Sequence, residues 1–87
     1  MFVVYVLRSR ITARYYIGHT SNLQNRLSKH NAGYVRSTKA YIPWEIVYSE
    51  NFDSKSNAYR REMQIKSYKG GRAFKTLLNI ESHGGVA

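Results

Sequence analysis

The sequence predicts a small α+β domain: a three-stranded, mostly antiparallel sheet flanked by helices, in the order β-β-α-β-α-α. Three observations lead there. Residues 2–8 are an apolar, β-branched run of strand length, and residues 14–19 form a second run, rich in aromatic and β-branched side chains. Trp44 to Phe52 alternates, with Trp44, Ile46 and Tyr48 set against Glu45, Val47 and Ser49. The remaining segments repeat apolar residues at helical spacing between Ser, Asp and Gly boundaries.

Taken in order, Ser9 to Ala13 is short and polar and reads as a hairpin loop, which sets the Tyr5 and Tyr16 strands side by side. Ser21 followed by Gln24 matches a capping box, and Leu23 and Leu27 give the next helix an apolar i, i+4 pair. That helix is expected to end near Asn31, with Gly33 as its left-handed cap. Residues 34–43 read as a polar, basic loop closed by Pro43. Asp53 or Ser54 caps a second helix that runs to about Tyr68 and is broken by Gly70-Gly71. Phe74, Leu77 and Leu78 mark a short third helix. A single domain over residues 1–81 is expected, followed by a mobile tail over 82–87.

Composition narrows the function. A chain of 87 residues buries about 60 to 65% of its unfolded surface, so its core is modest. Hydrophobic residues at 43% suit a globular fold and are too many for a disordered chain. The absence of cysteine excludes disulfide scaffolds and thiolate metal sites. No apolar run approaches the roughly 20 residues of a membrane span, and the apolar start is too short and lacks the basic leader of a signal peptide. Cytoplasmic residence is the expectation that follows. The net charge of +9, from 14 Lys and Arg against 5 Asp and Glu, favours a nucleic-acid partner through phosphate contacts.

A few residues stand out against this background. Glu62 shares a helix face with Ala58 and Ile65, an inward stripe where a carboxylate is costly unless it is paired or bound to a cation. Arg60, Arg61 and Lys66 are near enough in sequence to make an ion pair, so the ion-pair and metal-ligand readings both stand. Arg26 and His30 are i, i+4 neighbours, with His30 at the border between core and solvent beside Leu23 and Leu27. Taken singly, each also fits a solvated or helix-terminal role. Tyr5 and Tyr16 would pass as ordinary strand aromatics. Tyr34 and Tyr41 share a loop with Arg36 and Lys39, a composition suited to phosphate contact or base stacking.

Read together, these residues resemble the GIY-YIG nuclease domain. Tyr16-Ile17-Gly18 is the second motif intact, and Val3-Val4-Tyr5 matches the first in its final Tyr only. The run from Tyr16 through His19, Thr20, Leu23, Arg26, Leu27, His30 and Asn31 is similar to the family's helix segment, and Glu62 falls where its metal-binding Glu is expected. The likeness covers roughly residues 2 to 80 and is closest to small stand-alone bacterial members.

The resemblance implies a metal-dependent endonuclease acting on nucleic acid, DNA by preference, in repair or recombination. Its catalytic set would be Tyr5, Tyr16, Arg26, His30 and Glu62, with Glu62 holding Mg²⁺ or Mn²⁺. Tyr5 is the favoured general base, with Tyr16 and His30 as competitors, and Arg26 would stabilise the charged transition state. Arg26, Tyr34, Arg36 and Lys39 would contact the nucleic acid. Gly18 is expected to let the backbone turn tightly beside the site, Thr20 to help cap the helix, and Asn79 to match a late Asn of the family. Intrinsic sequence specificity is expected to be weak unless a homodimer or a protein partner supplies it. The alternative is a basic nucleic-acid-binding module with little or no catalysis.

Overall fold

The computed structural model describes residues 1–82, with side chains for residues 1–79. The elements are β1 (Phe2–Ser9), β2 (Tyr15–Thr20), α1 (Leu23–Asn31), a 3-10 turn (Lys39–Tyr41), β3 (Trp44–Phe52), α2 (Lys55–Ser67) and α3 (Arg72–Ser82). This is the expected order and class. The expected mobile tail, apart from Ser82, lies outside the described residues.

The sheet order is β2-β1-β3, and both pairings are antiparallel. The central strand therefore carries apolar residues on both faces, because each face is covered. Tyr5 and Leu7 pack with Trp44 under α1, joined by Tyr16, Leu23, Leu27, Tyr41, Ile42 and Ile46. Val4 and Val6 point the other way and pack with Ala58 and Ile65 of α2 and Phe74 of α3. Each fully buried aliphatic side chain of this kind stabilises the fold by about 1.5–3 kcal/mol.

The alternation expected for β3 fails at Val47. The register runs Val6↔Tyr48 and then Leu7↔Ile46, so Val47 is an extra residue in a β-bulge. Trp44 and Ile46 face α1 as expected, whereas Tyr48 turns with Val47 toward α2 and α3. Periodicity alone cannot show a one-residue insertion inside a strand.

Local side-chain chemistry sets the helix ends. The cap of α1 is Asn22, one residue later than Ser21, because its side chain accepts from Asn25 N at 3.0 Å. Thr20 prepares that cap: its Oγ1 accepts from Asn22 N at 3.2 Å. Gly33 closes α1 with φ +83°, while Tyr34 N donates to Lys29 O and Gly33 N to His30 O, the paired bonds of a Schellman ending. Asn31 then ties α1 to β3, since its side chain accepts from Trp44 N at 2.7 Å and donates to Trp44 O at 3.1 Å. Ser54 caps α2, and Lys69 and Gly70, both at positive φ, end it.

Candidate active site

The hairpin register builds the first half of the site. Tyr5 pairs with Gly18 and Leu7 with Tyr16, so the two phenols lie on the α1 face of neighbouring strands, with ring centroids 6.2 Å apart. Gly18 is extended and mid-strand, not at a turn. Its reason is space: a Cβ there would stand 2.8 Å from Tyr5 Oη and 3.1 Å from Tyr16 Cε2. The expectation of a tight turn at Gly18 is thus replaced by close approach of the Tyr5 ring.

From α1, His30 reaches in against both rings, with centroids 6.1 Å from Tyr5 and 4.7 Å from Tyr16. It is fully buried, deeper than the border position expected, because the loop after α1 folds over it. His30 Nδ1 lies 2.8 Å from Thr38 Oγ1, and that hydroxyl lies 3.3 Å from the Val35 carbonyl. A carbonyl can only accept, so the Thr38 proton goes to Val35 and Thr38 accepts from His30 Nδ1–H. Nε2 is left as an acceptor, 3.2 Å from Tyr5 Oη, and Tyr5 donates to it. The result is a directed chain, Tyr5 to His30 to Thr38 to the backbone.

Electrostatics follow from burial and from Arg26, which lies one turn before His30. Tyr5 is 1% exposed, and burial pushes its pKa up to about 12, with the Tyr16 and Glu62 charges adding to the rise and the Arg26 guanidinium opposing it. His30 is pushed down to about 4, by burial first and the Arg26 charge second. Arg26 is raised, chiefly by Tyr5, with Tyr16 contributing. Around neutral pH, phenol and imidazole are both uncharged and the guanidinium supplies the positive charge.

Glu62 stands on α2, whose buried stripe packs with the Val4 and Val6 face of the sheet. It is buried at 7% exposure with Ala58 and Ile65 both at 0%, on the stripe that helical spacing predicts. Its Oε1 accepts from His19 Nδ1 at 2.5 Å, and its Oε2 pairs with Lys66 Nζ at 2.6 Å. Of the three cations considered from sequence, Lys66 is the partner, while Arg61 pairs with Glu50 at 2.9 Å. Thus Tyr5, Tyr16, Arg26 and His30 form one cluster and Glu62 another with His19 and Lys66. The two are near enough for the Glu62 charge to act on Tyr5.

The donor chemistry at Glu62 fits a hard divalent cation. Among the described residues no group of three His, Cys, Asp or Glu converges. A single carboxylate completed by water and phosphate oxygens is a sufficient protein contribution for Mg²⁺ or Mn²⁺.

Tyr34, at 80% exposure, and the exposed Arg36 and Lys39 lie on the loop that covers His30 and present their side chains to solvent. Asn79 does not join either cluster; it lines a cleft with Arg8, Tyr15, Val47, Lys75 and Leu78. Sequence reasoning missed two participants, His19 and Thr38. His19 follows Gly18, so strand alternation turns it to the Val4 face, toward α2. Thr38 carried no such signal, since loop closure brings it to His30 from eight residues away.

Comparison with known proteins agrees with this fold. Residues 1–74 match the model of the GIY-YIG catalytic domain. The chain is 37% identical over 75 residues to a UPF0213 protein of Staphylococcus haemolyticus, covering 85% of this chain and 90% of that one. It is 45% identical over 65 residues to a UPF0213 protein of Natronomonas pharaonis, covering 74% and 75% respectively. The solution NMR structure of a UPF0213 protein from Bacillus halodurans superposes with a TM-score of 0.59 at 27% identity, covering 94% of this chain and 87% of that one. With the motif residues on adjacent strands and the fold shared, the chain belongs to the GIY-YIG family, a nuclease superfamily.

Proposed function

We propose that this protein is a divalent-metal-dependent endonuclease that hydrolyses phosphodiester bonds of DNA in repair or recombination. The observation that carries the reading is the directed Tyr5–His30–Thr38 hydrogen-bond chain beside Arg26. The net charge of +9 supplies the attraction for a polyanion.

A phenolate resting on Tyr5 is disfavoured, since its pKa stands at about 12. Tyr5 therefore works as a relay. It takes a proton from the attacking water as its own proton passes to His30 Nε2, which is already aligned to accept it. Thr38 holds the imidazole in the tautomer this needs. Arg26 stabilises negative charge on the phenol and on the phosphate in flight. A phosphate bound beside Arg26 also offsets the charge that depresses His30, raising its basicity when substrate is present. Tyr16, packed on His30, orders the water or the scissile phosphate. Glu62 would hold the divalent ion, which would supply charge neutralisation at the phosphate and the leaving oxygen. Arg36, Lys39 and Tyr34 line the approach and contact backbone or bases.

The test is cleavage of labelled single-stranded, duplex, flapped and four-way-junction DNA, with RNA counterparts, in Mg²⁺ or Mn²⁺. Wild type is compared with Glu62→Ala and Tyr5→Phe. The expected result is metal-dependent cutting that both substitutions abolish while binding survives. Cutting that persists in Glu62→Ala sinks the site assignment. Binding without cutting by wild type, on every substrate and with either metal, supports the binding-module alternative instead.

A further inference from the structure

We infer that Glu62 presents one fixed and one exchangeable oxygen: His19 is a positioning residue that locks Oε1, and Lys66 is a resident counter-cation that the metal displaces from Oε2. This rests on the reading of Glu62 as a metal ligand. The two contacts to the carboxylate are similar in length, 2.5 Å from His19 Nδ1 and 2.6 Å from Lys66 Nζ, yet their anchorage differs. An ionised carboxylate only accepts, so His19 Nδ1 carries the proton and donates.

His19 stands on β2, directly paired with the buried Val4 of the central strand, and the Tyr59 ring packs edge-on against its imidazole at 6.1 Å. Its side chain is 20% exposed and has little freedom to leave. Lys66 reaches Oε2 from one turn along α2, through four flexible methylenes, on a side chain 46% exposed. Water can take up its half-exposed ammonium, although the Glu62 partner is itself buried. A buried carboxylate is costly to hold without a partner cation or hydrogen-bond donors. Lys66 is that cation before a divalent ion arrives, and the ion's greater charge replaces it afterwards. His19 does not compete for the same oxygen. It fixes the carboxylate plane, as hydrogen-bond partners of ligating carboxylates commonly do.

The experiment is binding of Mn²⁺ alone to the full chain, read from the electron paramagnetic resonance of free Mn²⁺, for wild type, Glu62→Ala, Lys66→Gln, His19→Ala and His19→Asn. Lys66→Gln, which keeps a hydrogen-bond donor on a half-exposed side chain and whose folding is checked by circular dichroism, is expected to bind about threefold tighter or more, having lost both the competitor and its repulsion of the ion. His19→Ala is expected to bind about tenfold more weakly. His19→Asn, whose side-chain amide nitrogen sits where Nδ1 does, should restore most of that loss. Lys66→Gln binding no tighter than wild type overturns the exchange. His19→Ala binding as well as wild type, or His19→Asn binding as poorly as His19→Ala, overturns the positioning role. Undiminished Mn²⁺ binding by Glu62→Ala would instead overturn the underlying assignment of Glu62.

Discussion

Tyr5 and Gly18 face each other across the β1–β2 pair so closely that the phenolic oxygen occupies the volume any larger side chain at 18 would need, a Cβ there falling 2.8 Å from Oη. Because Tyr5 is buried, its ring has no free space to retreat into. Gly18→Ala is therefore expected to push Oη away from His30 Nε2 and to cost about 1–3 kcal/mol of stability. Urea denaturation measures the second effect. The first would appear as a cleavage rate reduced by more than the folded fraction explains.

Stability should fall on the acid side of neutrality because of His30. Its pKa is about 4 when folded and near 6.5 when unfolded, so the unfolded chain binds more protons between those values. The contribution is fully present above about pH 6.5 and is lost as pH falls toward 4, amounting to roughly 3 kcal/mol. His30→Gln removes the titrating group. Denaturation at pH 7 and pH 4.5 should show wild type losing more stability than the variant, and equal losses would contradict the assignment.

Tyr5 acts at the other extreme. Its folded pKa of about 12 exceeds the unfolded 10.0, so its contribution is intact below pH 10 and is lost as pH rises through 12. Tyr5→Phe abolishes that alkaline loss. At neutral pH it leaves His30 Nε2 without its donor, at a cost of about 1–3 kcal/mol. Base titration followed by circular dichroism distinguishes the two proteins.

Removing the charge of Arg26 should be felt at His30. Arg26→Gln is expected to raise the His30 pKa only part of the way to its ordinary value, since burial is the larger cause of its depression. An NMR titration of the imidazole reads this directly. Cleavage by the same variant should fall by about 10²-fold or more, as for loss of other charge-stabilising donors.

Asn31 tests the framework without touching the Tyr5–His30 cluster. Asn31→Asp keeps the acceptor for Trp44 N and loses the donor to Trp44 O, leaving two acceptors facing each other. A loss of about 1–3 kcal/mol is expected. Fluorescence of Trp44, the single tryptophan, reports it.

Much of this was legible in the sequence, for physical reasons. Helical spacing placed Glu62 with Ala58 and Ile65, and that face is buried. The hairpin length brought Tyr5 beside Tyr16. Where the reading failed, a single residue or a distant contact decided. The bulge at Val47 turned Tyr48 to the other face. Asn22 took the cap from Ser21 because Thr20 shaped the preceding turn. The burial of His30 depends on Thr38 and Trp44, whose indole donates to Thr38 O at 2.9 Å, and no local pattern encodes that closure.

The alternation of β1 has a further consequence, for cooperativity. Val4 and Val6 hold the α2–α3 layer while Tyr5 and Leu7 hold the α1 layer, so both layers are fastened to one strand. Neither can separate without stripping a face of that strand, which then loses its pairing on both edges. The phenol–imidazole cluster and the helices on the far side should therefore melt as a single unit. Melts followed by Trp44 fluorescence and by far-UV circular dichroism are expected to coincide.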